Sequence, residues 1–548
     1  MMSKELADLL FPNVDKTLDY YEQMYPERNL EKGAKVTRLG PSPTGFIHLG
    51  NLYGALVDER IAHLSGGPMF LRIEDTDDKR KVEGAEELII NSLKFFGIEF
   101  DEGVTIDGYK GEYGPYTQSM RKEIYQTAAK FLTEKGCAYP SFVTEEEMAQ
   151  IREEQEKAGV NPGYYGEWAK DRDLTLDEIK AKLDAGMPWT LRLKSTGDPE
   201  VAMKFKDGIR GEINVRQNNL DVVVLKNNGI PTYHFAHVVD DHFMRVTDVV
   251  RGEEWLSTLP IHLELFFQMG WRRPNYNHTA HLMKTEDGKK RKLSKRKDPE
   301  LSLEYYMRDG YFPQAVTEYL MTLMNSNYEE WRMKNPDKSY AEFPFKAKNM
   351  SSSGALFDLN KLNDISKDVL VRLSEEEILK FMLDWSNKFD QKAHDLLTKY
   401  YDELIKLLAI GRGGKKPRKD LVNCTQIMKF IGYYFEEDFD FVDELPERVS
   451  KEDAKLILKE YVDGYSQEDT NEEWFEKVKT ITDAHGFTSN NKEFKKNPEA
   501  YKGNITDVST AIRVAVVGRQ QSPDLWSIQQ IMGKDRVLNR IEKYLDRL

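Results

Sequence analysis

The 548-residue chain holds only two cysteines, Cys137 and Cys424. That is too few for a disulfide framework or for a zinc site built on several thiolates. No run of twenty apolar residues occurs, and the opening Met1-Met2-Ser3-Lys4-Glu5 lacks a basic segment followed by an apolar stretch. Neither a membrane span nor a signal peptide is expected, and the reading is of a cytoplasmic protein. Internal repeats and low-complexity segments are missing too. So is an excess of positive charge: 79 basic residues face 93 acidic ones, for a net charge of −14. What remains is a globular chain, 40% hydrophobic, long enough for roughly three to five domains.

The acidic total conceals two basic runs. Seven of the nine residues from Lys289 to Lys297 are basic, and Arg412-Gly413-Gly414-Lys415-Lys416-Pro417-Arg418-Lys419 forms a second run. A charge run is ordinarily a solvated face. Phosphate contacts, however, need local rather than global positive charge, so two separated footprints in an acidic chain fit a long RNA.

Residues Lys35–Leu39 read as a strand, Leu49–Ser65 as a helix ended by Gly66-Gly67, and Met69–Glu74 as a second strand. This βαβ unit should bind ligands beyond the C-terminal ends of its strands. The apolar runs Leu220–Leu225, His234–Val239 and Arg245–Arg251 are expected to supply the other half of the sheet. Between about Tyr116 and Asn219, a charged helical segment (Thr144–Lys157), a Pro/Gly/Tyr loop and a strand-like run (Trp189–Lys194) read as an inserted domain. Beyond Lys297 the pattern is helical: Tyr311–Met324, Ser374–Trp385, Lys392–Ala409, Lys451–Tyr461 and Lys534–Leu545.

The chemistry concentrates in Arg38-Leu39-Gly40-Pro41-Ser42-Pro43-Thr44-Gly45-Phe46-Ile47-His48-Leu49-Gly50-Asn51, a strand, a punctuated loop and a helix N-terminus carrying His48. Helix N-termini present unpaired N–H groups and partial positive charge, which suits phosphate. Downstream stands Lys292-Leu293-Ser294-Lys295-Arg296. The two segments resemble the HIGH and KMSKS signatures of class I aminoacyl-tRNA synthetases. Leu71-Arg72-Ile73-Glu74-Asp75-Thr76-Asp77, Pro231–Pro260 and Val250-Arg251-Gly252-Glu253-Glu254-Trp255-Leu256 resemble the glutamyl-tRNA synthetase family of bacterial type. Ile512–Gly518 with Ser522-Pro523 echoes its last helical domain. Asn51 departs from the second histidine of the HIGH signature and is given a supporting role.

The resemblance implies an α/β class I Rossmann-like catalytic domain, split by an inserted α+β acceptor-binding domain and followed by an all-α anticodon-binding region. The expected divisions are 1–34 (helical extension), 35–115 and 221–285 (the two catalytic halves), 116–220 (the insertion), 286–370 (the lysine loop and stem-contact region) and 371–548 (the helical region). It also implies ATP-dependent attachment of L-glutamate to glutamate tRNA through a glutamyl-adenylate, with glutamine tRNA a second candidate partner and a monomeric enzyme. His48, Lys292 and Lys295 would be catalytic. Arg38 and Tyr233 would hold the side-chain carboxylate, Arg251 the α-carboxylate, Glu74 the ammonium, and Ser42 would add a hydrogen bond. Gly40, Thr44, Gly45, Gly50, Asn51, Glu254, Trp255, Leu293 and Ser294 would join His48, Lys292 and Lys295 around ATP. Magnesium should arrive with ATP, held by phosphates and water, and no structural zinc is expected. Arg412, Lys415, Lys416, Arg418 and Lys419 are candidate RNA contacts.

Other readings stay open at this level. Arg38 and Glu74 could merely pair across adjacent strands. His237, one helical turn past Tyr233, could face the same pocket if that segment is helical. Glu74, Asp75, Asp77 and Asp78 resemble a metal cluster, but strand alternation prevents convergence of all four, so Asp75–Asp78 are read as capping or scaffold residues. Glutaminyl-tRNA synthetases share both signatures but typically carry a β-barrel anticodon region. A catalytically inactive RNA-binding paralogue would have lost His48, Glu74, Arg251 or the lysines.

Overall fold

A computed structural model describes residues 2–77 and 82–548, so Asp78 lies outside the described residues. The chain forms two compact units. One comprises the residues up to Tyr305 together with Thr317–Asp358; the other comprises Tyr306–Val316 and Leu359–Leu548.

In the first unit, helices α1 (Met2–Leu10) and α2 (Leu18–Met24) precede strand β1 (Thr37–Leu39), helix α3 (Leu49–His63) and strand β2 (Met69–Leu71). β1 and β2 are parallel, with Arg38 opposite Phe70. Helix α4 (Ala85–Phe95) leads to β3 (Glu102–Thr105), parallel to β2, and β4 (Gly108–Lys110) folds back against it. The N-terminal extension packs on this fold. Tyr25 donates to the Gly114 carbonyl at 2.8 Å, Arg28 grips Glu102 at 2.6 and 3.0 Å, and Glu22 pairs with His242 and Arg245, each at 2.6 Å.

Next come helix α5 (Lys122–Glu134), strand β5 (Ala138–Ser141), helices α6 (Glu145–Ala158) and α7 (Leu176–Asp184), and strand β6 (Thr190–Leu193). The hairpin β7 (Ala202–Asp207) and β8 (Gly211–Arg216) follows, then β9 (Val223–Leu225). Leu220–Leu225 was expected in the nucleotide sheet. Instead β9 pairs with β6, Leu191 opposite Leu225, to complete an antiparallel β5-β6-β9 sheet. His234–Val239, by contrast, is not a strand but lies within helix α8 (Tyr233–Phe243). Its controlling pattern is Tyr233, His237 and Asp241, spaced at i, i+4 and i+8 on one helical face.

The second half of the catalytic sheet is β10 (Asp248–Gly252), helix α9 (Leu259–Met269) and β11 (Asn275–Thr279), with β10 and β11 parallel. The backbone N–H groups of Thr247 and Asp248 donate to the Val36 carbonyl at 3.0 and 3.2 Å, which seats β10 beside β1. β2 and β10 thus lie on opposite sides of β1, and the crevice beyond the strand ends opens at this reversal, where α/β folds bind ligands. β12 (Leu282–Glu286) and β13 (Lys289–Lys292) form an antiparallel hairpin carrying the first basic run, and β14 (Ala355–Leu356) joins β12 in parallel.

Among the described residues the named elements of the second unit are all helical, and they share one apolar core around Ile505–Val517. The expected helix Lys392–Ala409 breaks into Gln391–Lys399 and Tyr401–Ala409. The break falls at Tyr400, whose ring packs against Tyr434 and Phe435 with centroids 6.0 and 5.5 Å away. Asn471–Ala484 is a helix the periodicity reading passed over, although Thr470 and Glu473 close a capping box at its start.

Gly67 links α3 to β2 where the chain crosses the start of β1; an added Cβ would lie 2.0 Å from the Lys35 carbonyl oxygen. Backbone cannot yield as a flexible side chain does. Gly67→Ala should therefore lower the stability of the first unit by about 1–3 kcal/mol, as overpacking does, read as a lower urea midpoint. An unchanged midpoint would contradict the close approach.

Candidate active site

Helix α3 begins with a reciprocal cap. The Asn51 N–H donates to His48 Nδ1 at 3.2 Å, and the His48 N–H donates to Asn51 Oδ1 at 3.0 Å. Because Nδ1 accepts, the neutral ring carries its proton on Nε2. Burial, and then the nearby Lys292 ammonium, push the imidazole below its ordinary value against the pull of Glu254. His48 is therefore a neutral donor at the mouth of the crevice. Gly50 keeps the ring in place, since a Cβ there would come 3.0 Å from the imidazole.

Behind this mouth lies a cavity of about 530 Å³. Arg38, Gly40, Ser42, His48, Gly50, Asn51, Glu74, Tyr233, Arg251, Glu254, Trp255, Lys292 and Leu293 line it; Thr44, Gly45, Ser294 and Lys295 do not. Two glycines clear room for carboxylates. A Cβ on Gly40 would lie 2.3 Å from Glu74 Oε1, and one on Gly252 would lie 2.1 Å from Glu254 Oε2. Tyr233 packs on Trp255 with ring centroids 4.3 Å apart.

The floor is a buried charge network. Asp241 accepts from Arg38 Nε at 3.2 and 3.3 Å and from Arg72 Nη1 at 2.6 Å. Arg72 also donates to Glu74 at 2.9 Å. Glu74 therefore takes its partner from two residues away along the chain, and the ion pair of Arg38 goes to Asp241. Burial drives the Asp241 carboxyl up, but Arg38 and Arg72 overcome it and hold the group well below its ordinary value. For Glu74, burial prevails over the pull of Arg72 and Arg38 and raises the carboxyl. His237 is fully buried beneath the cavity rather than lining it, with Nδ1 3.0 Å from Asp241 and Nε2 3.0 Å from the Tyr276 hydroxyl. Asp75 is scaffold: its two oxygens take the Ser119 N–H and hydroxyl at 2.8 and 2.7 Å.

Arg251 is held differently. Its Nε donates to His278 Nε2 at 3.0 Å, and its Nη1 lies 3.0 Å from His262 Nδ1. Arginine only donates, so both ring nitrogens must be acceptors and both rings neutral. Burial lowers both histidines, His262 strongly. Sequence reading missed these partners, and also Asp58 and His281, which line the cavity. Asn51, Gly54 and Asp58 recur at helical spacing, a signal that could have found Asp58.

The two distant signatures meet in space. Leu303 donates its N–H to the Ile47 carbonyl at 3.3 Å, and Lys295 Nζ stands 4.1 Å from the centre of the Phe46 ring. Asp298 ties the intervening loop, accepting from the Ser294 N–H at 2.8 Å and from Arg291 at 2.6 and 2.8 Å.

Residues 35–364 match the family model of the catalytic domain of class I tRNA synthetases (E and Q), and residues 416–545 match an anticodon binding domain. The chain belongs to the class I tRNA synthetases. It is 59% identical to a glutamate–tRNA ligase of Acetivibrio thermocellus, over 99% of this chain and all of that protein. It is 45% identical to one of Clostridium perfringens (strain SM101 / Type A), over the full length of both. Among solved structures, a glutamate tRNA ligase from Elizabethkingia meningosepticum in complex with its amino acid is similar, with a TM-score of 0.74 and 28% identity, covering 93% of this chain and 99% of that one.

In the second unit of the synthetase the basic run does not present every cation to solvent. The Arg412 side chain is buried, donating to the Leu370 and Leu373 carbonyls at 2.8 and 2.7 Å and pairing with Glu375 at 3.3 Å, so it caps a helix end rather than reaching outward. Arg418 pairs with Asp420 at 2.8 Å, Lys419 with Asp368 at 2.7 Å, and Lys415 and Lys416 are exposed.

Burial lowers His234 and His237 from 6.5 to about 4. Between those values the unfolded chain binds protons that the fold refuses, so stability is full above about pH 6.5 and declines as pH falls. The urea midpoint of the synthetase should drop from pH 6.5 to 5, above most carboxylate titration. His237→Asn should flatten that drop; an equal slope in both proteins would contradict the assignment.

Proposed function

We propose that this synthetase activates L-glutamate with ATP and transfers it to the 3′ end of glutamate tRNA. The observation that carries this reading is the charge layout of the floor. Arg38, Arg72 and Arg121 each meet a carboxylate of Asp240, Asp241 or Glu74, whereas Arg251 is held by neutral imidazoles. With these groups ionised and the buried Asp58 carboxyl counted as neutral, because burial raises it well above its ordinary value, one cation is left over, and glutamate, with two carboxylates and one ammonium, carries the matching single negative charge.

Arg251 would take the α-carboxylate through paired charge-assisted bonds, and Glu74 the ammonium. Arg38 retains donors for the side-chain carboxylate beside Tyr233, since its Nη groups make only contacts of 3.4 Å. Activation needs no protein nucleophile, because the carboxylate of glutamate attacks the α-phosphorus of ATP and diphosphate leaves. The protein positions and neutralises. His48 Nε2–H donates to phosphate oxygens as charge develops, and Lys292 and Lys295 neutralise the departing diphosphate. Magnesium accompanies the nucleotide on its phosphates. The terminal hydroxyl of tRNA then attacks the activated carbonyl and AMP leaves. The inserted β-rich segment would take the acceptor end, while Lys415, Lys416 and Lys419 are the exposed candidates for the anticodon side.

Charging assays with purified glutamate and glutamine tRNAs, each with labelled glutamate or glutamine, test the reading. Glutamate should be attached to glutamate tRNA, with glutamine rejected by a factor of about 10⁴, because the neutral amide would leave the floor's surplus positive charge uncompensated. Glutamate on both tRNAs would mark relaxed anticodon reading; label from glutamine alone would overturn the pocket. Arg38→Ala should raise the KM for glutamate and spare that for ATP. Lys295→Ala should cut activation about 10²–10³-fold while tRNA binding persists, and equal losses in both would remove its transition-state role.

A further inference from the structure

The hydrogen-bonded chain through Arg251 does not end inside the catalytic fold. His278 Nδ1 lies 2.6 Å from Asp207 Oδ2, and Asp207 is the last residue of β7, in the hairpin that interrupts the catalytic sequence. Asp207 and His278 are both buried, at 2% and 0% exposure. Every proton in this chain is fixed by one fact, that arginine only donates. His278 Nε2 must accept from Arg251, so Nδ1 carries the proton and donates to Asp207.

The hairpin turn is built onto the catalytic strand at this point. Asp207 Oδ1 accepts from the Ile209 and Arg210 N–H groups, both at 2.9 Å, and Gly208 donates to the Tyr276 carbonyl at 2.8 Å. A Cβ on Gly208 would lie 1.9 Å from Asn277 Oδ1, so a side chain there would have to displace the buried Asn277 amide for the turn to sit this close to β11. Arg210 pairs with Glu253, which in turn accepts the His281 N–H at 2.9 Å.

We propose that Asp207 and His278 are positioning residues that aim Arg251 at the glutamate carboxylate, so that the β7–β8 hairpin helps set the amino-acid site. This rests on the reading of Arg251 as a substrate ligand. A carboxylate placed directly on Arg251 would orient it but would compete with the substrate for the same charge. An intervening neutral imidazole orients the guanidinium and leaves its charge available. Arg38, fixed directly by Asp241, shows the other arrangement in the same floor.

Asp207→Asn puts an NH₂ where the His278 ring proton now donates, which favours the opposite tautomer and sets N–H against N–H at Arg251. His278→Leu removes the acceptor, whereas His278→Gln keeps one acceptor and one donor. Measured in tRNA charging, Asp207→Asn and His278→Leu should raise the glutamate KM tenfold or more, with kcat and the ATP KM changed less than about threefold. His278→Gln should stay within about threefold of the parent. Equal glutamate KM values for His278→Leu and His278→Gln, or parallel rises in the glutamate and ATP KM, would overturn the positioning role, and the Leu/Gln comparison decides even if Asp207→Asn does not fold. Arg251→Ala separates the two readings. If it leaves the glutamate KM unchanged, the ligand role of Arg251 fails. If it raises that KM while Asp207→Asn and His278→Leu do not, only the positioning proposal fails.

Discussion

Asp241 holds the catalytic floor together. One carboxylate on α8 binds Arg38 from β1 and Arg72 from the segment after β2, and lies against His237 on its own helix. Its neighbour Asp240 binds Arg121, Gln118 and Tyr125, at 2.7, 2.9 and 2.8 Å. Two adjacent acids thus join the strand ends to α5 and α8. Removing a single member would strand buried charge at a cost of about 3–5 kcal/mol, so orientation of the floor and stability of the unit are coupled. Glu74 inherits its place from this arrangement, because Arg72 holds it and the missing side chain of Gly40 leaves it room.

The parts legible in the sequence are those fixed by neighbours in the chain. The β1–α3–β2 unit follows from an apolar strand, a capped helix start and a glycine pair, all within about forty residues, and His48 and Asn51 cap α3 from three residues apart. Residue spacing also brings Tyr233, His237 and Asp241 onto one face, but only once the segment is read with a helical period. Read only as a run of apolar residues, the same segment looks like a strand.

What stayed hidden depends on chain crossings. The acceptors of Arg251 come from α9 and β11, and the carboxylate behind His278 from β7, so no local pattern announces them. β9 is a strand as expected, but its choice of β6 over the nucleotide sheet is made by the path of the inserted segment. Arg412 carries the same lesson in the second unit. Within a basic run it looks like a solvent-facing cation, yet two helix-end carbonyls and Glu375 draw it inside.

Buried ion pairs seldom stabilise a fold beyond what well-packed apolar residues would achieve, because desolvation offsets much of the attraction. A floor in which three arginines are paired with three buried acids is therefore poorly explained by stability alone. Its physical use is to fix directions: each guanidinium plane is set before a ligand arrives, which lowers the ordering cost of binding. The neutral histidines complete that logic. Were His262 or His278 protonated, Arg251 would lose an acceptor and gain a like charge at the same contact. Burial prevents this by making the charged imidazole costly, and so keeps the positive potential of the floor localised on Arg251, which pairs with no acid among the described residues.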